Sequence, residues 1–371
     1  MTNLRNKSQF SYWNLLGVVL LIITLAFSLC GCGQKQTTLD NGNIKDTRVI
    51  TDSAGREVEI PVDPQRIACT CPEAGYALAL YGKGDKIIAT TDGMQRDLLL
   101  LEMYPHLKGL SMPKRGGNIN IEELLRIKAD LVFVKEDTLN NEAAMEKLRL
   151  AKIPVVVMQF DNMEEQQFIM QMMATIIGTE EEGQKYQQFY QQQVSMVKER
   201  VSKIPDEKRA RIYHSTQEAT RTDTDNTLAA DWTKAAGVIN VSVGQDLKFT
   251  DGDYYAGLEQ ILLWDPDYIL ANNPDVVGYI MSNEQWRPLQ SVKNKRVLPL
   301  PIGLTRWGHE NSLETPLAII WTAKTVYPDL FTDVDMTAII HNFYEEFFDM
   351  QLDQATIQRI LKSQGMREAK S

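Results

Sequence analysis

Arg306, Trp307 and His309 lie close together in the stretch Pro301-Ile302-Gly303-Leu304-Thr305-Arg306-Trp307-Gly308-His309, the richest chemical cluster in the chain. Arg306 can grip a carboxylate or a chelate oxygen in a fork, and Trp307 offers a flat face. His309 can donate, accept or ligate, although a lone histidine more often serves as a hydrogen-bonded structural group. Three further loops carry related chemistry. Lys114-Arg115-Gly116-Gly117-Asn118 combines positive charge with glycines that let a backbone approach a ligand, a polar loop runs through Arg221, and Lys248–Tyr255 presents Tyr254. Cationic forks and aromatic faces suit a guest already surrounded by its own donor atoms.

Covalent chemistry has no matching pattern. The chain has no P-loop, dinucleotide fingerprint, Gly-x-Ser-x-Gly elbow or His-Glu-x-x-His pair, and no cofactor motif. A bare zinc or manganese site needs several imidazoles, whereas the histidines are His106, His214, His309 and His341. Cys69 and Cys71 are separated by Thr70 alone, too close for an unstrained disulfide, and they read as structural thiols at a strand end. The formal charge of −10 excludes nucleic acid, whose phosphates require a basic surface.

The elements that must position these loops form two related stretches. Asn120-Ile121-Glu122-Glu123-Leu124-Leu125-Arg126-Ile127-Lys128-Ala129-Asp130 precedes Leu131-Val132-Phe133, and Gly257-Leu258-Glu259-Gln260-Ile261-Leu262-Leu263-Trp264-Asp265-Pro266-Asp267 precedes Tyr268-Ile269-Leu270. Each predicts a short amphipathic helix followed by a strand buried on both faces. Glu122 and Glu259 fall in corresponding first turns, where the helix dipole favours a carboxylate. Each copy leads through another helix to another strand, Ile153–Phe160 and Arg296–Leu300. This alternation predicts an α/β protein of two lobes, each with a mostly parallel central sheet. A Pro-free run from Glu180 to Lys203 places Tyr186, Phe189, Tyr190, Val194, Val197 and Val201 on one stripe and predicts one long rigid helix joining the lobes. At 1.5 Å per residue its 24 positions span about 36 Å.

On these paired helix–strand units the chain resembles the substrate-binding proteins of ABC importers that take up ferric siderophores, haem, cobalamin and related chelates. The resemblance covers roughly residues 48–350. It implies a ligand held between the lobes and docking of Glu122 and Glu259 onto the arginines of a permease dimer. It implies lobes at 48–162 and 205–371, the second including terminal helices, with a helical segment at 163–204 that contains the joining helix. With the loop residues, it points to a ligand site formed by Arg115, Gly116, Arg221, Tyr254, Arg306, Trp307 and His309. A ferric siderophore is the expected ligand. Haem or a corrinoid is the alternative, with His309 or a tyrosine as axial donor. An enzyme of another class, modifying a chelate or carrying a metal cluster on the same fold, stays open because fold does not fix function.

The N-terminal stretch sets the compartment. Arg5 and Lys7 precede an apolar run from Leu15 to Leu29 and then Leu29-Cys30-Gly31-Cys32, which reads as a secretory signal ending in a lipobox-like site. The other reading, a permanent membrane helix, faces a run shorter than the roughly 20 apolar residues of a span. The signal reading predicts cleavage after residue 31, lipid on Cys32, a polar tether at 32–47 and an extracytoplasmic, membrane-anchored body. Loss of the cations Arg5 and Lys7 takes the formal charge from −10 to −12.

Overall fold

The computed structural model describes residues 46–369, so the signal segment and Cys32 lie outside the described residues. The chain opens with an antiparallel hairpin, β1 (Thr47–Thr51) and β2 (Glu57–Pro61). Asp52 accepts from the Ala54 and Arg56 backbone N–H groups at 3.1 and 3.0 Å and closes the turn.

The first lobe is built on β3 (Ile67–Cys69), β4 (Ile87–Ala89), β7 (Leu131–Val134) and β8 (Val155–Val157), a wholly parallel sheet in the order β4-β3-β7-β8. A two-residue pair, β5 (Lys114–Arg115) and β6 (Asn118–Ile119), makes a small hairpin ahead of β7. Every residue of β7 and β8 is buried, as continuous Leu/Val/Phe runs require when helices cover both faces. The second lobe repeats the plan with β9 (Arg211–Ser215), β11 (Ile239–Asn240), β14 (Tyr268–Ala271) and β15 (Val297–Pro299), in the order β11-β9-β14-β15, again all parallel. Here a three-stranded antiparallel ribbon of β10 (Arg221–Thr222), β12 (Lys248–Thr250) and β13 (Asp253–Tyr255) flanks the sheet.

The duplication extends to individual bonds. In the first lobe Arg66 and Asp130 exchange backbone contacts: Asp130 N–H donates to the Arg66 carbonyl at 2.9 Å, and the Asp130 carboxylate accepts from Arg66 N–H at 2.9 Å. Asp267 and Arg211 repeat both contacts at 2.8 Å in the second lobe. The Arg66 and Arg211 guanidinium groups also cap corresponding helices, each donating at 2.7 Å, to the Ile127 and Trp264 carbonyls. Both helices, Ile121–Arg126 and Leu258–Trp264, then turn through a left-handed residue, Lys128 and Asp265.

The chain passes from β8 to β9 through two helices, Met163–Ile177, ended by left-handed Gly178, and Glu180–Val201. The second contains 22 residues, about 33 Å. One apolar cluster includes Ile67 of β3, Tyr186, Tyr190 and Val197 of this helix, Ile212 of β9, and Ile320 and Phe343 of the later helices Thr315–Val326 and Met336–Phe348. The interlobe helix is therefore embedded in a core shared by both lobes.

Several elements differ from the pattern-based expectation. A helix around Ile280–Leu289 is replaced by Pro274–Ser282, a turn at Glu284–Trp286 and a short helix at Gln290–Lys293. The start moves because the Asn273 side chain accepts from Asp275 N–H at 3.1 Å and Pro274 occupies the first turn. A further helix, Gln354–Leu361, is capped by Asp353. Cys69 and Cys71 are free and buried, and burial pushes both thiols far above their ordinary range.

Candidate functional site

In both sheets the first strand in the chain lies second in space, which creates a switch point beside β3 and β9. Crevices at carboxyl ends of strands form there. The residues leaving β3, β4, β9 and β14 line a cleft between the lobes. Its inner chamber, about 260 Å³, is lined by Tyr76, Arg96, Arg306, His309 and Arg367 among others. An outer chamber of about 680 Å³ shares Arg96, Arg306 and Arg367 and adds Gln217, Arg221 and Asn273. A third of about 130 Å³ holds Arg221, Tyr254 and His309. A larger cavity, about 880 Å³, lies elsewhere, at the far end of the helix Pro72–Leu80, and is edged by Glu102, Glu182, Glu346, Asp349 and Asp353.

The inner chamber concentrates positive charge under poor solvation. Burial, reinforced by the neighbouring Arg367, pushes the Arg306 guanidinium down to about 10. Arg306 donates to His309 Nε2 at 2.8 Å, so the atom that would ligate a metal is already engaged. Burial and Arg306 hold the His309 imidazole well below its ordinary range, and the ring is neutral at physiological pH. Beneath the arginines, burial pushes the Asp97 carboxyl up to about 6, opposed by Arg367 and the Tyr76 hydroxyl. Asp97 binds Tyr76 through one oxygen and Arg367 through the other, the latter at 3.1 Å.

A half-buried lysine ties the lobes together. Lys135, at the carboxyl end of β7, donates to Asn311 Oδ1 of the second lobe at 2.7 Å and pairs with Glu73 of the first at 3.1 Å. Burial opposes its charge, yet Glu73 and Glu310 hold the ammonium above its ordinary range. Among the described residues, no three His, Cys, Asp or Glu side chains converge on a possible metal position.

The structure brings Arg221, Tyr254, Arg306 and His309 to the cleft. Arg221 is ion-paired to Asp253, and Tyr254 packs on Phe249 with ring centroids 4.9 Å apart. Trp307 requires correction: it is fully buried, and its carbonyl accepts from Asn272 Nδ2 at 2.7 Å, so its ring is core and presents no face to the cleft. Arg115 and Gly116 sit in an exposed hairpin turn, apart from the three chambers, with Gly116 left-handed. Glu122 and Glu259 are exposed in the first turns of their helices and line none of the chambers. Arg96, Arg367, Lys135 and Tyr76 were absent from the sequence-based site. Lys135 alone had a local signal, standing directly after a buried apolar strand.

A family model for periplasmic binding proteins matches residues 81–302. The molybdate-binding protein MolA of Haemophilus influenzae is 24% identical over 331 residues, covering 81% of this chain and 91% of its own. An uncharacterised ABC transporter substrate-binding lipoprotein of Bacillus subtilis, YvrC, is 23% identical over 332 residues, covering 85% and 98%. Among solved structures, MolA bound to molybdate superposes with a TM-score of 0.73 at 22% identity, over 82% of this chain and 99% of that one. Helicobacter pylori CeuE with bound Ni(II) superposes at 0.69 with 19% identity, over 85% and 99%. These likenesses establish a shared two-lobed fold.

Proposed function

The chain belongs to the periplasmic binding protein family, and from that premise we propose that it captures an anionic, metal-bearing small molecule in the interlobe cleft and presents it to an ABC importer. The observation that carries this reading is the convergence of Arg96, Arg221, Arg306 and Arg367 on one cleft in a chain of net charge −10. Arginine forks match the oxygens of carboxylates and chelates. A ferric siderophore places its bulk in the outer chamber and its anionic edge against Arg306. Haem or a corrinoid ligated by His309 is less well supported, because Nε2 would first have to leave Arg306.

One observation favours a second ligand. The inner chamber, about 260 Å³ and ringed by three arginines, suits a compact oxyanion such as molybdate, which the Haemophilus relative is named for binding. Calorimetric titration with ferric siderophores, haem, cobalamin and molybdate separates these cases. Siderophore binding supports the first reading and molybdate alone the second. Binding of cobalamin with no response to either anion would remove the arginine cluster as the basis of recognition.

Docking to the permease dimer is assigned to Glu122 and Glu259, supported by their exposure at matched positions. Lipid on Cys32 would hold the body outside the cytoplasmic membrane, a reading supported by the lipobox-like Leu29–Cys32. Mass spectrometry of membrane-fraction protein should find that modification, and retention of residues 1–31 would refute it.

A further inference from the structure

The segment after the helix Gln354–Leu361 does not stay with the lobe it leaves. Its start is fixed to the second lobe, where Ile302 N–H donates to the Ile360 carbonyl at 3.2 Å and Ser363 Oγ donates to the Leu300 carbonyl. It then pairs with the first lobe. Leu98 N–H donates to the Met366 carbonyl at 3.1 Å, Glu368 N–H donates to the Arg96 carbonyl at 2.8 Å, and Arg367 faces Asp97 in an antiparallel bridge. Met366 is buried at 2% exposure, and Glu368 reaches Lys108 of the first lobe. Between its anchors the segment forms one wall of the outer chamber, and Arg367 borders the inner one as well.

We propose that residues 363–369 are a third component of the ligand site: a strap that holds the two lobes at a fixed aperture and supplies Arg367 as a specificity-determining contact for anionic ligands. Arg367 is positioned before any ligand arrives. Nη1 lies 3.1 Å from Asp97 Oδ1, and Nη2 donates to the Gly93 carbonyl at 3.1 Å. A guanidinium has five N–H donors, so this anchorage leaves donors for the chambers it lines. A side chain already ordered loses little further freedom on binding. The strap's backbone bonds to Arg96 and Leu98 also set the position of Arg96, another cation of the inner chamber. Displacement of the strap thus removes two of the three inner arginines from their places together.

The ligand half of this proposal rests on the anionic-ligand reading, whereas the tie between the lobes stands on geometry alone. Nitroxide labels on cysteines replacing the exposed Lys147 and Lys293, one in each lobe, report the aperture by pulsed electron resonance. Cys69 and Cys71 are buried away from the label. In a chain ending at Gln364 the interlobe distance should broaden and lengthen. Arg367→Gln and Asp97→Asn retain Met366 and keep the test informative should the shortened chain misfold, and each should broaden the distribution to a lesser degree. Unchanged distributions in these variants would overturn the strap.

For recognition, molybdate and the ferric complex of a tris-catecholate are the probes. Arg367→Gln should weaken whichever binds by tenfold or more, with Arg367→Lys restoring part of the loss, and wild-type affinity in Arg367→Gln would overturn the specificity role. If the wild-type chain binds neither probe, the ligand class is refuted and the distance measurement decides the strap alone.

Discussion

Replacing Arg306 by Met should make the ligand-free protein more stable while removing much of its affinity. Burial pushes the guanidinium down to about 10, so its charged form carries a folded-state penalty of roughly 3 kcal/mol. Because the folded value is depressed for a cationic group, that penalty is present at every pH below about 10 and is relieved only as pH rises through 10. Methionine fills similar length without charge. It forfeits the charge-assisted bond to His309, worth about 1.5–3 kcal/mol. The net gain is therefore at most about 1.5 kcal/mol, a rise in Tm of up to roughly 4 °C for a domain of this size class. An anion loses a charge-assisted bond worth about 1.5–3 kcal/mol, or about tenfold to a hundredfold in Kd. Scanning calorimetry and isothermal titration measure both, at pH 8, above the pH near 6 where the neighbouring Asp97 titrates. A lower Tm with unchanged affinity would refute the picture of an electrostatically strained, anion-relieved site.

Other perturbations probe separate parts of the molecule. Ala at Glu122 and Glu259 should change stability by less than about 0.5 kcal/mol and leave ligand Kd unaltered, yet abolish uptake in vesicles carrying the cognate permease; loss of binding instead would move these residues into the cleft. Gly308→Ala places a Cβ 2.7 Å from the Trp232 ring at a φ of +74°, and should cost about 2–4 kcal/mol by urea unfolding; a neutral result would mean the Trp232–Gly308 contact is loose. The Asp97 carboxyl, raised to about 6, favours the fold fully below pH 4 and loses that contribution as pH rises through 6. Asp97→Asn should accordingly gain roughly 3 kcal/mol on wild type between pH 4 and 7, and a pH-independent difference would show that Asp97 does not titrate there.

What could be read from the chain was what depends on neighbours in sequence. The paired helix–strand units rest on local rules: an apolar stripe, a carboxylate in the first turn, a stop, and a run of residues buried on both faces. They appear in both lobes down to the Asp130 and Asp267 contacts. The site was harder, because its charges are brought together by distant pairings. Arg96 and Arg367 are 271 positions apart (96 to 367) and share a chamber through the backbone bridge at Asp97. Nothing local marks either as a cleft residue. Trp307 misled for the opposite reason. Between a cation and a glycine it reads as an exposed loop aromatic, but it is fully buried, with its carbonyl held by Asn272.

Those distant pairings also bear on how the cleft works. A hinge needs a few residues free to absorb large backbone changes, and here the crossing helix Glu180–Val201 is packed into a core that includes residues of both sheets. Lys135 adds a half-buried polar tie to Asn311 on one side of the cleft, and the Arg367 segment adds backbone bonds on another. Wide opening would expose Lys135 and Glu73 together and break both sets of bonds. Selectivity must then come mainly from what the fixed cleft already presents: four guanidinium groups in chambers of set size, three of them held in place by Asp92, Asp253 and Asp97. If Glu122 and Glu259 dock onto a permease as proposed, a pull on those matched points of the two lobes would act directly on the aperture that keeps the arginines together.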